Sequence, residues 1–198
     1  MTKLKRPREV VFEYPQPPDP YPPSQRSGAF IGPSGVGKTA AALALLMGPY
    51  RNVYSRVDVF SPSCDEGVDS AWDAWRKHVR IHMRVPDSEQ TMFDSWRPDM
   101  LEKLIERHTK VNAHLKARKH TKGYVSLVLV DDFADAGDKL MHSSTNILTS
   151  LFVRGRHLGC ACWLLTQKLR VVSLICRTDF CYLLVRALRN SKRVGCNF

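Results

Sequence analysis

The sequence predicts an α/β fold in which helices flank a central, mostly parallel sheet. Three observations carry this prediction. Apolar runs of strand length alternate along the chain with stretches of helical period. A glycine-rich loop, Gly32-Pro33-Ser34-Gly35-Val36-Gly37-Lys38-Thr39, joins one such run to an alanine- and leucine-rich stretch. A second apolar run, Tyr124 to Val130, is continuous rather than alternating and closes on two carboxylates, Asp131 and Asp132. Continuous apolar strands are the kind a parallel sheet buries on both faces.

Composition sets bounds. A chain of 198 residues with 43% hydrophobic and 25% charged residues is long enough for one substantial core. Its net charge of +11 points to a polyanionic partner such as nucleic acid. The six cysteines show no C-x-x-C spacing and several sit in apolar runs. They read as reduced, buried thiols of an intracellular protein, which argues against a disulfide scaffold or a zinc centre. No apolar run has membrane-spanning length, and the charged, proline-rich start does not resemble a signal peptide.

Residues 1–26 read as an arm and residues 27–198 as the folded domain. Lys3, Lys5, Arg6 and Arg8 open the arm, and six prolines between Pro15 and Pro23 keep it extended. Within it, Val10 to Tyr14 offers an edge strand. The basic start fits a nuclear-localisation signal, a DNA contact or a solvated tail.

The domain then unfolds in order. Gly28-Ala29-Phe30-Ile31 is a buried strand, and Ala40 to Met47 is a helix of strong formers. Tyr50 to Tyr54 is a turn, and Val57 to Ser61 a strand stopped by Pro62. Asp69 to His78 is a helix with Trp72 and Trp75 on one core-facing side. Val79, Ile81, Met83 and Val85 alternate with Arg80, His82 and Arg84, which predicts a half-buried strand with a basic outer face. Pro98 starts a long helix over Asp99 to Arg118, with Leu101, Leu104, Ile105, His108, Val111 and Leu115 as its apolar stripe. Ser144 to Val153 is a short helix, Cys160 to Thr166 a buried strand ending at Gln167, and Phe180 to Val185 the last strand. Val171 to Cys176, a loop or short helix, leads to Arg177.

The loop from Gly32 to Thr39 fits G-x-x-x-x-G-K-[ST] at each fixed position. Its glycines permit the positive-φ backbone that wraps a polyphosphate in N–H groups, and the helix behind it aims its N-terminus at the phosphates. All eight residues, Gly32, Pro33, Ser34, Gly35, Val36, Gly37, Lys38 and Thr39, are therefore expected to bind ATP. Lys38 supplies charge to the β- and γ-phosphates, and Thr39 offers its hydroxyl to Mg²⁺. Asp131, at the end of a buried strand, is the expected second anchor of that metal, and Asp132 the group that activates water. Gln167, at the carboxyl edge of the sheet, can bond the γ-phosphate or the attacking water.

In this order F-I-G-P-S-G-V-G-K-T, V-F-S-P-S, L-V-L-V-D-D, G-R-H-L-G-C-A-C-W-L-L-T-Q and an isolated Arg177 resemble the poxvirus-type genome-packaging ATPases. These belong to the FtsK–HerA superfamily of P-loop (RecA/ASCE-like) DNA pumps, also found in other large DNA viruses and virus-like transposons. The likeness runs over roughly residues 27–185. It implies a ring of five or six copies that hydrolyses ATP to drive double-stranded DNA into a capsid, with a capsid or portal-vertex protein as partner. It implies a place at a viral assembly site, in nucleus or cytoplasm, or within the virion. It implies Gln167 as nucleotide sensor and Arg177 as an arginine finger completing a neighbour's site in trans, where such a group stabilises charge on the transferred phosphoryl. Two departures stand out. Asp132 occupies a place where related motors often carry the longer Glu, and the chain ends soon after its last strand whereas relatives often run longer.

Other readings share parts of this pattern. A P-loop small-molecule kinase has the right size, although the basic helix and the strands preceding Asp131 do not suit it. A helicase-type ATPase shares the core, and a nucleotide-gated scaffold without turnover fits the shortened acid. DNA contacts are expected among Arg80, Arg84, Lys103, Lys110, Lys116 and Lys119 and the C-terminal arginines.

Overall fold

The computed structural model of the chain describes residues 11–133, 146–167 and 183–185. Strands β1 (Gly28–Ile31), β2 (Arg56–Phe60), β3 (Met92–Phe93), β4 (Ser126–Asp131), β5 (Cys160–Thr166) and β6 (Leu183–Val185) form one sheet in the order β3-β2-β4-β5-β1-β6. Every pairing is parallel. All residues of β1, β2, β4 and β5 are buried, which is why these segments read as near-continuous apolar runs. The two polar intruders in β2 neutralise each other: Arg56 Nε donates to Asp58 at 2.9 Å, and the same guanidinium reaches Glu89.

Alternation along each strand feeds two cores. On one face α1 (Lys38–Met47) and α2 (Ser70–His78) set Leu43, Leu46, Trp72 and Trp75 against Val57, Val59, Leu127, Leu129 and Trp163. On the other, α3 (Pro98–Ala117) and α4 (Ile147–Leu158) set Leu101, Leu148, Leu151 and Phe152 against Val128, Val130, Cys162 and Leu164. Local signals fix the helix ends. Asp69 caps α2 by accepting from the Ala71 N–H, and Asn146 caps α4 by accepting from the Leu148 N–H, both at 2.9 Å. Pro98 opens α3, and Gly159, at φ 78°, closes α4 in the left-handed conformation that glycine adopts freely.

The expected strand over 79–85 is not formed. Val79–Met83 continues α2 as a π-helical turn, ended by Arg84 at φ 54°. The alternation misleads because a helical stripe runs through the same residues. Trp72, Trp75 and Val79 are buried, and Met83, four residues on, packs against them. Ile81, inward-facing in the strand reading, is 57% exposed. Arg80 and Arg84 thus leave a helical turn, and Arg80 pairs with Asp87 at 3.2 Å. The helix expected over 144–153 runs on to Leu158.

Residues 11–26 of the arm lie against the domain. The Glu13 N–H donates to Thr121 O at 2.8 Å, and the Gly123 N–H donates to Glu13 O at 3.1 Å. The edge strand expected at 10–14 is one isolated bridge, Glu13 to Lys122. Tyr14 packs where side chains on Gly123 and Gly159 would stand, and the Tyr50 and Tyr54 hydroxyls donate to the carbonyls of Pro22 and Ser24.

Candidate nucleotide site

The site lies at the carboxyl ends of the strands, where β1, β4 and β5 deliver their loops side by side. The Gly32 N–H donates to Thr166 O at 3.2 Å, and the Asp132 N–H donates to Leu165 O at 3.1 Å. The first loop glycine and the second carboxylate are thus pinned to opposite edges of β5. Because β5 separates β1 from β4, their axes stand about 10 Å apart. The tip of α1 spans that gap.

Gly35 (φ 73°) and Gly37 (φ 88°) hold backbone conformations that other residues resist, and Gly37 is the residue before α1. Lys38, 7% exposed, curls over the loop and donates from Nζ to the carbonyls of Gly32 and Pro33, both at 3.0 Å. The Thr39 hydroxyl donates to Asp131 Oδ2 at 3.1 Å, joining residues 92 positions apart. The motif residues therefore converge as the sequence expected.

Asp131 is buried, and burial pushes its carboxyl up to about 6. The Thr39 hydrogen bond opposes that rise, the neighbouring Asp132 adds to it, and Lys38 and Ser61 pull it down. With Thr39 Oγ1 and Ser61 Oγ beside Asp131 Oδ2, at 3.1 and 3.4 Å, the site gathers only hard oxygen donors. That donor set fits Mg²⁺ and does not suit a soft metal. Among the described residues no group of three or more His, Cys, Asp or Glu side chains could hold a metal by itself.

Ser61 is a site residue that the sequence does not single out, although V-F-S-P-S marks its neighbourhood. It is fully buried at the end of β2, in contact with Ser63 Oγ at 3.2 Å. A serine closing an apolar strand before a proline is the available signal.

Asp132 sits at φ 45°. This turn carries the chain out of β4 and aims the carboxylate at the end of β5. There Gln167 Nε2 donates to both of its oxygens, at 3.1 and 2.9 Å. Asp132 and Gln167, two of the expected catalytic groups, are thus one hydrogen-bonded pair. Arg177 lies outside the described residues.

The expected DNA contacts do not form one patch. Arg80 and Arg84 belong to the layer of α1 and α2, whereas Lys103, Lys110 and Lys116 lie on α3 across the sheet. On α3 itself, Lys103 and Lys116 are separated by about 20 Å of helix. Lys110 pairs with Glu106 at 2.7 Å, and Lys119 (φ 57°) lies just beyond the helix end.

A second polar cluster is structural. His108 Nδ1 lies 2.9 Å from Ser126 Oγ, a pairing that superficially resembles an activated serine. Its Nε2 lies 2.7 Å from Leu158 O, so Nε2 carries the proton and Nδ1 accepts. Burial pushes the imidazole below its ordinary range, keeping it neutral. The cavity beside it is about 10 Å³, room for a water but for no substrate.

Comparisons with known proteins bear on the family and the fold. The sequence model of the family described as "Poxvirus A32 protein" matches residues 26–193. The comparison with curated protein sequences returns no match. Among solved structures, EssC (ATPases 2 and 3) from Geobacillus thermodenitrificans is similar at TM-score 0.53 and 16% identity, over 91% of this chain and 38% of that one. The cytoplasmic domain of EssC is similar at TM-score 0.51 and 16% identity, over 81% of this chain and 32% of that one. The chain spans about a third of the length of these structures, and at that identity the likeness shows the fold.

Proposed function

The chain belongs to the poxvirus A32 protein family, and from that premise we propose that it is a motor ATPase that moves double-stranded DNA into a capsid. It is a P-loop ATP hydrolase by family and fold. The observation that carries the proposal is the Thr39–Asp131 contact beside Lys38, which joins the phosphate loop to the acid of β4.

ATP would lie with its triphosphate along the backbone N–H groups of residues 34–39. Lys38 exchanges the carbonyls of Gly32 and Pro33 for β- and γ-phosphate oxygens. Thr39 and Asp131 would hold Mg²⁺, with Ser61 steadying the carboxylate. When bound, the ion neutralises charge on the β- and γ-phosphates. Asp132 accepts the proton of the attacking water, and Gln167 fixes the carboxylate's orientation. The turned backbone at Asp132 and the amide clamp compensate for a side chain one methylene shorter than Glu. Because Gln167 also borders the phosphate side, movement of its amide reports nucleotide state to the loop after β5.

The wider arrangement is a ring of five or six copies in which Arg177 reaches a neighbour's nucleotide, with a capsid or portal-vertex protein as the docking partner. The family match and the basic charge of +11 support action on DNA. Duplex DNA at low salt should stimulate ATP hydrolysis, and Lys38→Ala should abolish it. Turnover indifferent to DNA would remove the translocation part of the proposal and leave an ATPase of another purpose.

A further inference from the structure

Where α3 and α4 end, cations outnumber acids: Glu13 of the arm bridges Lys122, but the two stretches themselves carry only positive charge. From Arg107 to Lys122 the sequence carries Arg107, Lys110, Lys116, Arg118, Lys119 and Lys122 and no Asp or Glu. From Ile147 to Leu158 it carries Arg154 and Arg156, again with no acid. The fold brings the ends of these stretches together. Leu158, the last residue of α4, offers its carbonyl to His108 Nε2 at 2.7 Å and to Asn112 Nδ2 at 3.2 Å, so the end of α4 lies against the second half of α3. Tyr14 packs against both Gly123 and Gly159. Lys122 and the last turn of α4 therefore flank a single ring.

Arg118, Lys119, Lys122 and Arg156 are exposed there. Among the described residues none of the four has an acid within ion-pair distance. Three nearby or comparable cations are paired instead: Arg107 is held by Glu89 at 3.0 Å, Lys110 by Glu106 at 2.7 Å and Arg80 by Asp87 at 3.2 Å. Helix dipoles do not account for the cluster. Two helix C-termini present together about one negative charge, and Glu13 beside Lys122 adds one more, against four positive side chains. The rings nearby, Phe12 and Tyr14, contact each other, and Tyr14 also covers the glycines, which leaves charge rather than base stacking as the means of contact.

We propose that this edge, formed by Arg118, Lys119, Lys122 and Arg156, is a contact surface for the phosphate backbone of duplex DNA. The proposal rests on the reading of the chain as a DNA-acting ATPase. Both helices lead into parallel strands, so their C-termini lie at the edge opposite Thr39, Asp131 and Gln167. DNA held there leaves the nucleotide end clear for ATP and for a neighbouring subunit.

The test is fluorescence anisotropy of a short mixed-sequence duplex with the full chain, titrated in salt. Each phosphate contact contributes about 0.9 to the slope of log affinity against log salt. The variant Lys119→Gln/Lys122→Gln/Arg156→Gln should lose about 2.7 of that slope. Between about 50 and 200 mM salt its affinity should then fall about 40-fold less than that of the wild type. Arg156→Gln alone should lose about 0.9, and Lys103→Gln/Lys110→Gln should keep the full slope. All variants should melt with the wild type and keep its DNA-free ATP turnover. Wild-type binding with an unchanged slope in the triple variant overturns the edge assignment and leaves the DNA reading standing. A wild type with ATP turnover but no salt-dependent duplex binding overturns the DNA reading itself.

Discussion

Removing one hydroxyl, in Ser61→Ala, tests the oxygen cluster around Asp131. Ser61 is fully buried, and its Oγ lies 3.4 Å from Asp131 Oδ2, the oxygen that Thr39 also contacts. Alanine fills nearly the same volume and leaves no new buried polar atom, so the fold should persist. Ser63, partly exposed, can turn to water. A hydrogen bond to a charged acceptor contributes about 1.5–3 kcal/mol at good geometry. At 3.4 Å a value of about 1 kcal/mol is the appropriate scale, which is about fivefold in affinity. The Mg²⁺ concentration that half-saturates binding of a fluorescent ATP analogue should therefore rise about fivefold in Ser61→Ala. Analogue binding in EDTA should not change, because Lys38 and the loop amides are untouched. Thr39→Ala, which removes a metal ligand as well as a donor, should shift the same midpoint more than tenfold, that is by more than about 1.4 kcal/mol. An unchanged Mg²⁺ midpoint in Ser61→Ala, with Thr39→Ala shifted, would refute the role assigned to Ser61.

Three further outcomes rest on particular contacts. Gln167→Ala frees both oxygens of Asp132 and should lower ATP turnover about 10- to 100-fold, with the nucleotide dissociation constant little changed; turnover and analogue binding measured together check this. Gly155→Ala places a methyl group against the Cys160 carbonyl and should destabilise the fold by about 2 kcal/mol, read as a melting temperature about 4–8 °C lower. His108 is a base held below its ordinary value of 6.5, so the stability it contributes is present above that pH and is lost as pH falls through its lowered value. Asp58 and Asp131, both pushed up to about 6, act in the opposite sense, so the informative quantity is a difference. The gap in melting temperature between wild type and His108→Gln should narrow from pH 7 to pH 5.

Much of the fold is legible because it is written in short-range signals. The run from Leu127 to Val130 reads as a strand covered on both faces, and Asp69 and Pro98 mark helix starts by their own chemistry, whereas α4, closed by Gly159, runs past the expected stop at Val153 to Leu158. The reading fails at 79–83, where a period of two and a helical stripe coexist and only the position of Trp72 and Trp75 in the core decides between them. The phosphate loop, Asp131 and Gln167 are legible for the same short-range reason: each stands where an apolar strand gives way to polar residues. The pairing of Gln167 with Asp132 is not legible, since it depends on β5 lying next to β4 and on a left-handed turn at a residue other than glycine. Ser61 escapes a sequence reading because its partner is 70 residues away. Part of what makes G-R-H distinctive is packing: Gly155 lets α4 sit against the start of β5.

Turnover with and without duplex at low salt, titrated in protein concentration, decides whether ATP hydrolysis at this site is coupled to duplex DNA. With coupling, specific activity should rise with DNA and with concentration, fall to background in Lys38→Ala, and be poisoned when Arg177→Ala subunits are mixed with wild type. Activity per chain that is flat in both titrations would contradict it and identify an ATPase that works alone, without DNA.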